Sequence, residues 1–318
     1  MNVYRKFTQF ILVFTLLSSC SAQSDPDVEL LMELNTNTIF QDSKGVLWFG
    51  TTAEGIAKRE NDEFTYYDKP EIIGGKNVYD IAEDSKENLW FATSKGLTKY
   101  DRSDFTIFDT SHNLPSNEIN CLTIDSKKTL WIGTKEGISR LIDGKFYNFQ
   151  LPITNAEASK SVHSILEDKS GNYWFGTDNG IVKYSARTED SPNGKFEILD
   201  ENSGLTHNTV LDIEQDNEGN LWIATEQKGV CKYADGEFTQ ISTPFDERTP
   251  TAWGFNKDPE GNIWFAINGD GIYKFDGKEV TSIFTPRHCI SHTVVCSFID
   301  NEGRMWLGGW MGIHREND

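Results

Sequence analysis

Seven tryptophans recur along the chain at near-even spacing. The intervals between them are 42, 41, 43, 48, 42 and 42 residues. A period of about 40 to 45 residues, assembled from short strands, is typical of the blades of a β-propeller. The sequence therefore predicts an all-β, seven-bladed β-propeller with one of these residues in each blade: Trp48, Trp90, Trp131, Trp174, Trp222, Trp264 and Trp306.

An aspartate stands six residues before every one of these tryptophans. The series is Asp42, Asp84, Asp125, Asp168, Asp216, Asp258 and Asp300. The short carboxylate of aspartate accepts hydrogen bonds from backbone amides just ahead of it, which favours a tight turn. We expect this turn to join two strands of each blade, such as the apolar runs Val78-Tyr79-Asp80-Ile81 and Leu89-Trp90-Phe91.

The third residue after the aspartate is expected to adopt a positive φ. Glycine, which adopts such angles without steric cost, occupies the position in five repeats. Glu87 and Lys128 replace it in the other two, at an expected cost of about 1 kcal/mol each.

A small residue always stands two positions after the tryptophan. The set is Gly50, Ala92, Gly133, Gly176, Ala224, Ala266 and Gly308. Radially arranged sheets pack face to face, and a large side chain against a small one fills the space between them. We expect the indole of a neighbouring blade to occupy the space beside each small residue.

Two further strands complete each repeat. A second glycine, for example Gly180, opens a third strand, and alternating aromatic residues such as Phe105-Thr106-Ile107-Phe108 predict a half-exposed fourth strand. The last repeat reaches Asp318 without a fourth strand. We expect the segment Val28 to Leu34 to supply it, closing the ring and removing an exposed sheet edge.

The N-terminal segment has the features of an export signal. Arg5 and Lys6 precede an apolar run, and Leu17-Ser18-Ser19-Cys20 resembles a bacterial lipobox. This resemblance implies a lipoprotein signal peptide at 1–19, a polar tether at 20–27 with lipidated Cys20, and the propeller at 28–318. An ordinary signal peptide with a chance cysteine is the alternative. Ser21 after the cysteine favours the outer membrane, with the periplasmic or surface face left open.

Charge and motifs exclude several classes of function. A net charge of −19 disfavours binding to nucleic acid or to anionic lipid headgroups. The sequence contains no regular metal-ligand spacing and no Gly-x-Ser-x-Gly nucleophile motif, so we expect no metal and no cofactor. We expect a monomer. Cys289 and Cys296 flank one loop, and a disulfide between them is an open alternative to free thiols.

The repeats resemble those of a known family. The segment from Ile165 to Tyr184, which reads Ile-Leu-Glu-Asp-Lys-Ser-Gly-Asn-Tyr-Trp-Phe-Gly-Thr-Asp-Asn-Gly-Ile-Val-Lys-Tyr, resembles the two-component regulator propeller repeat. In that family such propellers form the periplasmic sensor half of hybrid histidine kinases, where saccharide recognition is the best-known role. This sequence shows no transmembrane or kinase segment after the propeller, and seven repeats where those sensors carry about twice that number. The resemblance therefore implies that any signalling passes through a separate partner.

A more distant resemblance connects the chain with seven-bladed streptogramin lyase propellers. The segment Asp258-Pro-Glu-Gly261-Asn-Ile-Trp264-Phe265 fits the repeat of either family. This second resemblance implies a lyase, in which a histidine near the ring axis would act as a general base.

Residues that break the repeat near the channel mouth are the candidate site. Loops that enter the first strand and loops that join the second and third strands emerge on one face of a propeller, where ligands bind. Indole faces beside amides, carboxylates and lysines are suited to stack on sugar rings and bind their hydroxyls. The predicted ligand-binding residues are Trp253, Trp310, His163, His207, His292, Asn179, Asn268, Asp270 and Lys228.

These features support three hypotheses for function. The first is an exported, lipid-anchored module that binds a saccharide or an envelope protein. The second is a lyase or hydrolase that uses His163, His207 or His292. The third is a structural scaffold within an envelope complex. For each tryptophan the alternative role is packing between blades, and for each histidine it is a loop or core side chain.

Overall fold

The computed structural model describes residues 28–153, 158–185, 194–241, 251–267, 271–284, 294–310 and 312–316. Within these residues, 28 strands form seven four-stranded sheets. All neighbouring strands in a sheet are antiparallel, and each pair follows the chain except at the closure of the ring. The predicted all-β, seven-bladed propeller is therefore confirmed.

The strand bounds follow the repeat, starting with β1 (Val28–Met32). Blades 1 and 2 contain β2 (Thr36–Gln41), β3 (Leu47–Thr51), β4 (Ile56–Glu60), β5 (Glu63–Tyr67), β6 (Val78–Glu83), β7 (Leu89–Thr93), β8 (Gly96–Tyr100) and β9 (Phe105–Phe108). Blades 3 and 4 contain β10 (Ile119–Ile124), β11 (Leu130–Thr134), β12 (Gly137–Ile142), β13 (Lys145–Phe149), β14 (Val162–Glu167), β15 (Tyr173–Thr177), β16 (Gly180–Ser185) and β17 (Lys195–Leu199). Blades 5 and 6 contain β18 (Val210–Gln215), β19 (Leu221–Thr225), β20 (Gly229–Ala234), β21 (Glu237–Gln240), β22 (Ala252–Lys257), β23 (Ile263–Ile267), β24 (Gly271–Phe275) and β25 (Val280–Phe284). Blade 7 contains β26 (Val294–Ile299), β27 (Met305–Gly309) and β28 (Gly312–Glu316) together with β1.

Helix is confined to single turns between blades in the described part of the chain. These are the short helix α1 (Pro70–Ile73) and the 3-10 turns Thr110–His112 and Glu201–Ser203. Each precedes the first strand of a blade, so the turns contribute to the loops on the face where those strands begin.

The ring closes with a strand from each end of the chain. Strand β1 pairs antiparallel with β28, placing Val28 opposite Glu316. The N-terminal strand is thus the outermost strand of the last blade, as the sequence predicts. Joining the two ends in one sheet pairs an edge of β28 that would otherwise be open.

Each repeated aspartate binds the tryptophan of its own repeat. In all seven blades the indole Nε1 donates a hydrogen bond to one carboxylate oxygen, with N–O distances of 2.8 to 3.1 Å. The other oxygen accepts turn amides; that of Asp216 accepts from Glu218 N at 3.0 Å and from Asn220 N at 2.9 Å. The predicted turn is confirmed, whereas the bond to the indole was not predicted.

The positive φ of the turn is also confirmed. The glycines at this position have φ from 78° to 94°, and Glu87 and Lys128 adopt 65° and 66°. The geometry of the turn therefore overrides the preference of these two side chains for negative φ.

The tryptophans hold neighbouring blades together. Trp174 of blade 4 is 3% exposed and shares a buried cluster with Val210, Ile213 and Ile223 of blade 5. At the ring closure, the Trp306 indole lies 5.9 Å from the Phe49 ring of blade 1. The indole therefore fills the space between its own blade and the next.

The partner of the small residue differs from our expectation. A Cβ placed on Gly176 would lie 2.9 Å from Val210 Cγ1, and one on Gly50 would lie 2.8 Å from Val78 Cγ1. On the own-blade side, a Cβ on Gly50 would lie 2.6 Å from Thr38 Cγ2. The neighbours are thus the first strands of the same blade and of the next blade, and not an indole. The strands converge toward the ring axis, so the space beside the small residue is too narrow for a large ring.

Candidate functional site

The first strands of the seven blades line a central channel with a volume of about 600 Å³. In every blade the pairing between first and second strand shifts register near the start of the first strand. This bulge turns an additional side chain toward the axis. Residues ten positions before each tryptophan lie at or beside the bulge and line the channel, and we call them the central ring: Thr38, Asp80, Cys121, Ser164, Asp212, Gly254 and Cys296.

Two carboxylates of the central ring link adjacent blades. Asp80 accepts hydrogen bonds from Ile81 N at 2.8 Å and from Leu122 N of the next blade at 2.7 Å. Burial raises the pKa of Asp80 to about 7, and the negative charge of Asp212 adds to the increase. The Asp80 carboxyl is therefore partly protonated near neutral pH.

Asp212 occupies the same position in blade 5. It accepts hydrogen bonds from Ser164 Oγ of blade 4 at 2.9 Å and from Phe255 N of blade 6 at 2.8 Å. Burial raises the pKa of Asp212 to about 6, although these hydrogen bonds oppose the increase. One carboxylate thus connects three blades at the channel wall.

A third acidic group lies further along the same strand. Glu214 lines the channel, and burial raises its pKa to about 7, with a further contribution from the charge of Asp212. Lys257 of the next blade also lines the channel, but its Nζ donates to the Gln215 carbonyl at 3.0 Å. The channel wall therefore presents three carboxyl groups whose pKa values are raised by burial.

The loops on one face surround the mouth of this channel. Turns between second and third strands bond to loops that precede first strands, as in Glu226 N to Thr209 O and Ser94 N to Asn77 O, both at 3.0 Å. The predicted clustering of these two loop sets on one face is therefore confirmed.

His163 and Trp253 both line the channel. The Nε2 atom of His163 lies 2.7 Å from Asp178 Oδ1, and Ser159 Oγ donates to the other oxygen of Asp178. This carboxylate orients the imidazole, which is the arrangement of a histidine held for proton transfer or for ligand binding. Trp253 is 36% exposed and offers an apolar surface in the same channel.

The other described candidates lie on the mouth face without lining the channel. Trp310 is 67% exposed in the turn between β27 and β28. His207 accepts a hydrogen bond from Thr209 N at 3.1 Å through Nδ1. Asn179 Nδ2 donates to Ser159 O at 2.7 Å, and the exposed Lys228 accepts Gln240 Nε2 at its carbonyl. Asn179, in the turn between β15 and β16, therefore joins this turn to the loop that precedes β14.

Several predicted residues lie outside the described residues, so their placement is not tested: Cys20, Asn268, Asp270, Cys289 and His292. Cys296, for which a disulfide with Cys289 was the open alternative, is a buried free thiol, as are Cys121 and Cys231.

The channel carboxylates are not among the residues that the sequence predicts for a site. Asp80 lies within a run that reads as apolar, and Asp212 and Glu214 lie within the first strand of blade 5. A signal was present, because a carboxylate inside a first strand breaks the apolar pattern of that strand. Recognising it required knowledge of which side of the strand faces the axis, and the bulge changes that side.

The part of the chain that the structure describes contains no group of three or more His, Cys, Asp or Glu arranged to hold a metal ion. Its helices are also too short and polar to span a bilayer.

Comparison with known proteins places the repeats in a family. Five segments, residues 31–53, 72–95, 113–136, 157–179 and 204–227, match the family model described as two component regulator propeller. The chain therefore carries two-component regulator propeller repeats. A stretch of 83 residues is 32% identical to Histidine kinase P4 of Formosa agariphila, covering 26% of this chain and only 6% of that protein.

Solved structures share the fold over nearly the whole propeller. The extracellular domain of BT3049 from B. thetaiotaomicron, described as part of a hybrid two component system, has a TM-score of 0.73 at 22% identity. The match covers 92% of this chain and 41% of that one, so the present chain spans less than half of that extracellular domain.

Virginiamycin B lyase from Staphylococcus aureus has a TM-score of 0.70 at 16% identity, covering 91% of this chain and 97% of the lyase. At sequence identities of 22% and 16%, these two solved structures show a shared fold and no more.

Proposed function

We propose that this protein is a ligand-binding module of the bacterial cell envelope, with its ligand at the mouth of the central channel. The observation that carries the proposal is the convergence of His163, oriented by Asp178, and exposed Trp253 on one cavity of about 600 Å³. Concave sites with an apolar surface and a few fixed polar groups are typical of small-ligand sites.

A saccharide is the ligand class that fits these groups best. The face of Trp253 provides a platform for a sugar ring, and the imidazole and carboxyl groups provide hydrogen-bond partners for hydroxyls. The family of the repeats and the similarity to extracellular domains of two-component systems agree with a sensory role. Any signal would then pass to a separate partner protein.

Thermal denaturation of the full-length protein with a panel of oligosaccharides tests this proposal. A ligand at 100 times its Kd adds about 2.7 kcal/mol of stability, and we expect Trp253→Ala to remove the shift. Ile283→Ala is the matched control, because Ile283 is 37% exposed on β25 and does not line the channel. A sugar that stabilises the Trp253 variant as much as the native protein would place the site elsewhere.

A lyase is the second candidate, and the His163–Asp178 pair favours it. A histidine held by a carboxylate in a cavity has the arrangement of a general base. The similar lyase structures include a catalytically inactive histidine-to-alanine variant with quinupristin. Incubation with quinupristin, followed by liquid chromatography and mass spectrometry, separates the two candidates. A lyase that opens the ring by elimination produces an isomer of unchanged mass and altered retention, and His163→Ala abolishes this product. His112→Ala serves as the control, because His112 lies outside the channel and pairs with Asp109.

We also propose that Cys20 anchors the protein to the envelope through lipid. The support is the Leu17-Ser18-Ser19-Cys20 segment and the apolar run before it. Detergent phase partitioning of the native protein and of Cys20→Ala tests it, with the native protein expected in the detergent phase. Equal partitioning of both into the aqueous phase contradicts lipidation.

A further inference from the structure

A second cavity lies on the side of the propeller, between the outer parts of blades 3 and 4. We call it the lateral groove; it has a volume of about 750 Å³ and its lining includes Trp131, Arg140, Ile142, Phe149, Tyr184 and Phe196. It shares no lining residue with the channel, so it is independent of the site proposed above.

Blade 3 departs from the repeat at this groove. In blades 1, 2, 4, 5 and 6 a lysine of the third strand lies over the indole of its blade. Its partner on the fourth strand is threonine in four of these blades and glutamate in blade 4. In blade 3 the corresponding pair is Arg140 and Tyr147. Because four other blades fold with lysine and threonine at these positions, the scaffold does not require this pair.

The guanidinium of Arg140 is arranged to bind an anion. It lies 5.0 Å from the Trp131 ring centroid and 5.3 Å from that of Phe149, and its buried Nε has no hydrogen-bond partner within the described residues. A buried donor without an acceptor is unfavourable. A carboxylate that binds the edge of the guanidinium would satisfy it while the flat faces stay on the rings.

The acidic residue in the groove does not meet this need. One oxygen of Asp125 accepts from Trp131 Nε1 and from Tyr173 OH, both at 2.9 Å. The other accepts from the amides of Lys127 and Thr129 at 2.9 and 2.8 Å. Both oxygens are occupied, and the side chain of Lys127 adds a second cation to the lining. In a chain with a net charge of −19, this groove is a local site for an anion.

The rim of the groove is apolar. Six large apolar side chains are exposed in the described part of the chain. One of them, Ile142 at 38%, lines the groove, and Tyr147 at 47% pairs across two strands with Arg140 of the lining. A third, Ile198, is 46% exposed. Ile198 shares a face of β17 with Phe196 because alternate residues of a strand point the same way. Such clustering of exposed apolar side chains marks a surface that contacts another protein.

We infer that the lateral groove binds an acidic peptide segment of a partner protein. A Glu or Asp carboxylate of the segment pairs with Arg140, and neighbouring apolar side chains cover Ile142, Tyr147 and Ile198. Two aliphatic side chains on the rim favour a peptide over a sugar, because sugar rings are held by flat aromatic faces.

Fluorescence of 8-anilinonaphthalene-1-sulfonate, an apolar aromatic anion, tests the groove in the full-length protein. The competitor is a pool of N-acetylated tetrapeptide amides with Glu or Asp at both ends and Leu, Ile or Phe between them. The variant R140K/Y147T carries the residues that blades 1, 2, 5 and 6 contain, so its melting temperature is expected to match that of the native protein. We expect it to bind the dye and the acidic peptides about tenfold more weakly or worse.

Three results would overturn the inference. The first is equal binding of dye and peptide to the native protein and to R140K/Y147T at equal melting temperature. The second is equal displacement of the dye by a pool with Lys in place of Glu and Asp, or no displacement by the acidic pool. The third is displacement by oligogalacturonate alone, which would assign the groove to an acidic saccharide. Ile283→Ser, on an exposed strand outside the groove, is the control for non-specific dye binding.

Discussion

Two sets of carboxylates in this propeller have opposite environments. The seven turn aspartates are ionised and saturated with donors, and hydrogen bonds hold the pKa of groups such as Asp168 and Asp300 below its usual range although burial opposes this. The channel carboxyls of Asp80, Asp212 and Glu214 accept fewer donors, and burial raises their pKa values to about 7, 6 and 7.

This difference in environment distinguishes the carboxylates that stabilise the fold from those that belong to the candidate site. A carboxylate whose oxygens are all occupied contributes to folding and has little capacity left for a ligand. A carboxyl group on a cavity wall whose charged form is destabilised by burial has a different role. It is available to a ligand that brings a hydrogen-bond donor or a positive charge. The turn aspartates occur in every blade, whereas the channel carboxyls among the described residues lie in blades 2 and 5.

The largest effect is expected from breaking the packing that the turn aspartates support. Trp174→Ala removes a buried indole between blades 4 and 5 and leaves a cavity, which should lower the free energy of unfolding by about 3 to 5 kcal/mol. Urea denaturation measures the change. A loss below 1 kcal/mol would show that the indole is not the main contact between these blades.

A somewhat smaller loss is expected when the turn carboxylate itself is removed. Asp168→Ala leaves Trp174 Nε1 and the amides of Ser170 and Asn172 without their acceptor. The expected loss is about 2 to 3 kcal/mol, again from urea denaturation. Asp276→Ala, at the turn between β24 and β25, is the comparison for a turn aspartate outside the repeated series, because its carboxylate accepts the amides of Lys278 and Glu279. Equal losses in the two variants would contradict a special role for the repeated aspartate.

The channel carboxyls and the turn aspartates should change the stability of the protein with pH in opposite directions. The channel carboxyls have raised pKa values in the folded state, so the folded protein binds more protons than the unfolded chain between about pH 4 and 7. Stability should therefore fall as pH rises through this range.

The turn aspartates have lowered pKa values, so their contribution is present above the unfolded pKa and is lost as pH falls below about 4. Urea denaturation at intervals from pH 3 to 8 should show greatest stability near pH 4 to 5. A maximum above pH 7 would mean that the channel carboxyls are not destabilised when charged.

The smallest effect is expected from a single channel carboxyl. Glu214→Gln keeps an oxygen to accept the Gln215 amide hydrogen bond of 2.8 Å and removes the charge. It should stabilise the protein at pH 8 by about 1 kcal/mol and leave stability at pH 4 unchanged. The same substitution at exposed Glu218 should change neither value. A loss of stability in Glu214→Gln at pH 8 would indicate an ion pair that the structure does not show.

The sequence predicted much of the scaffold because the scaffold repeats. The interval between tryptophans gave the number of blades, and the aspartate six residues before each one gave the turn. The glycine position gave the backbone angle, so even Glu87 and Lys128 were assigned a positive φ. Each of these features depends on residues close together in the chain, whose effect on local backbone geometry is the same in every blade.

The candidate site was predicted only in part. His163 and Trp253 were found as residues that break the repeat, and both line the channel. The aspartate that orients His163 lies on a different loop, and the carboxyls of Asp80 and Asp212 lie at bulges that the sequence pattern does not reveal. The lateral groove depends in the same way on Arg140 and Tyr147 being opposite each other across two strands.

The sequence by itself thus determined the fold, the number of blades, the turns and the closure of the ring. Only the tertiary structure decided which side chains face the channel, which residue fills the space beside each small residue, and which carboxyls resist ionisation. The physical reason is that turn geometry and strand periodicity are local, whereas burial and charge interactions depend on groups brought together from separate blades.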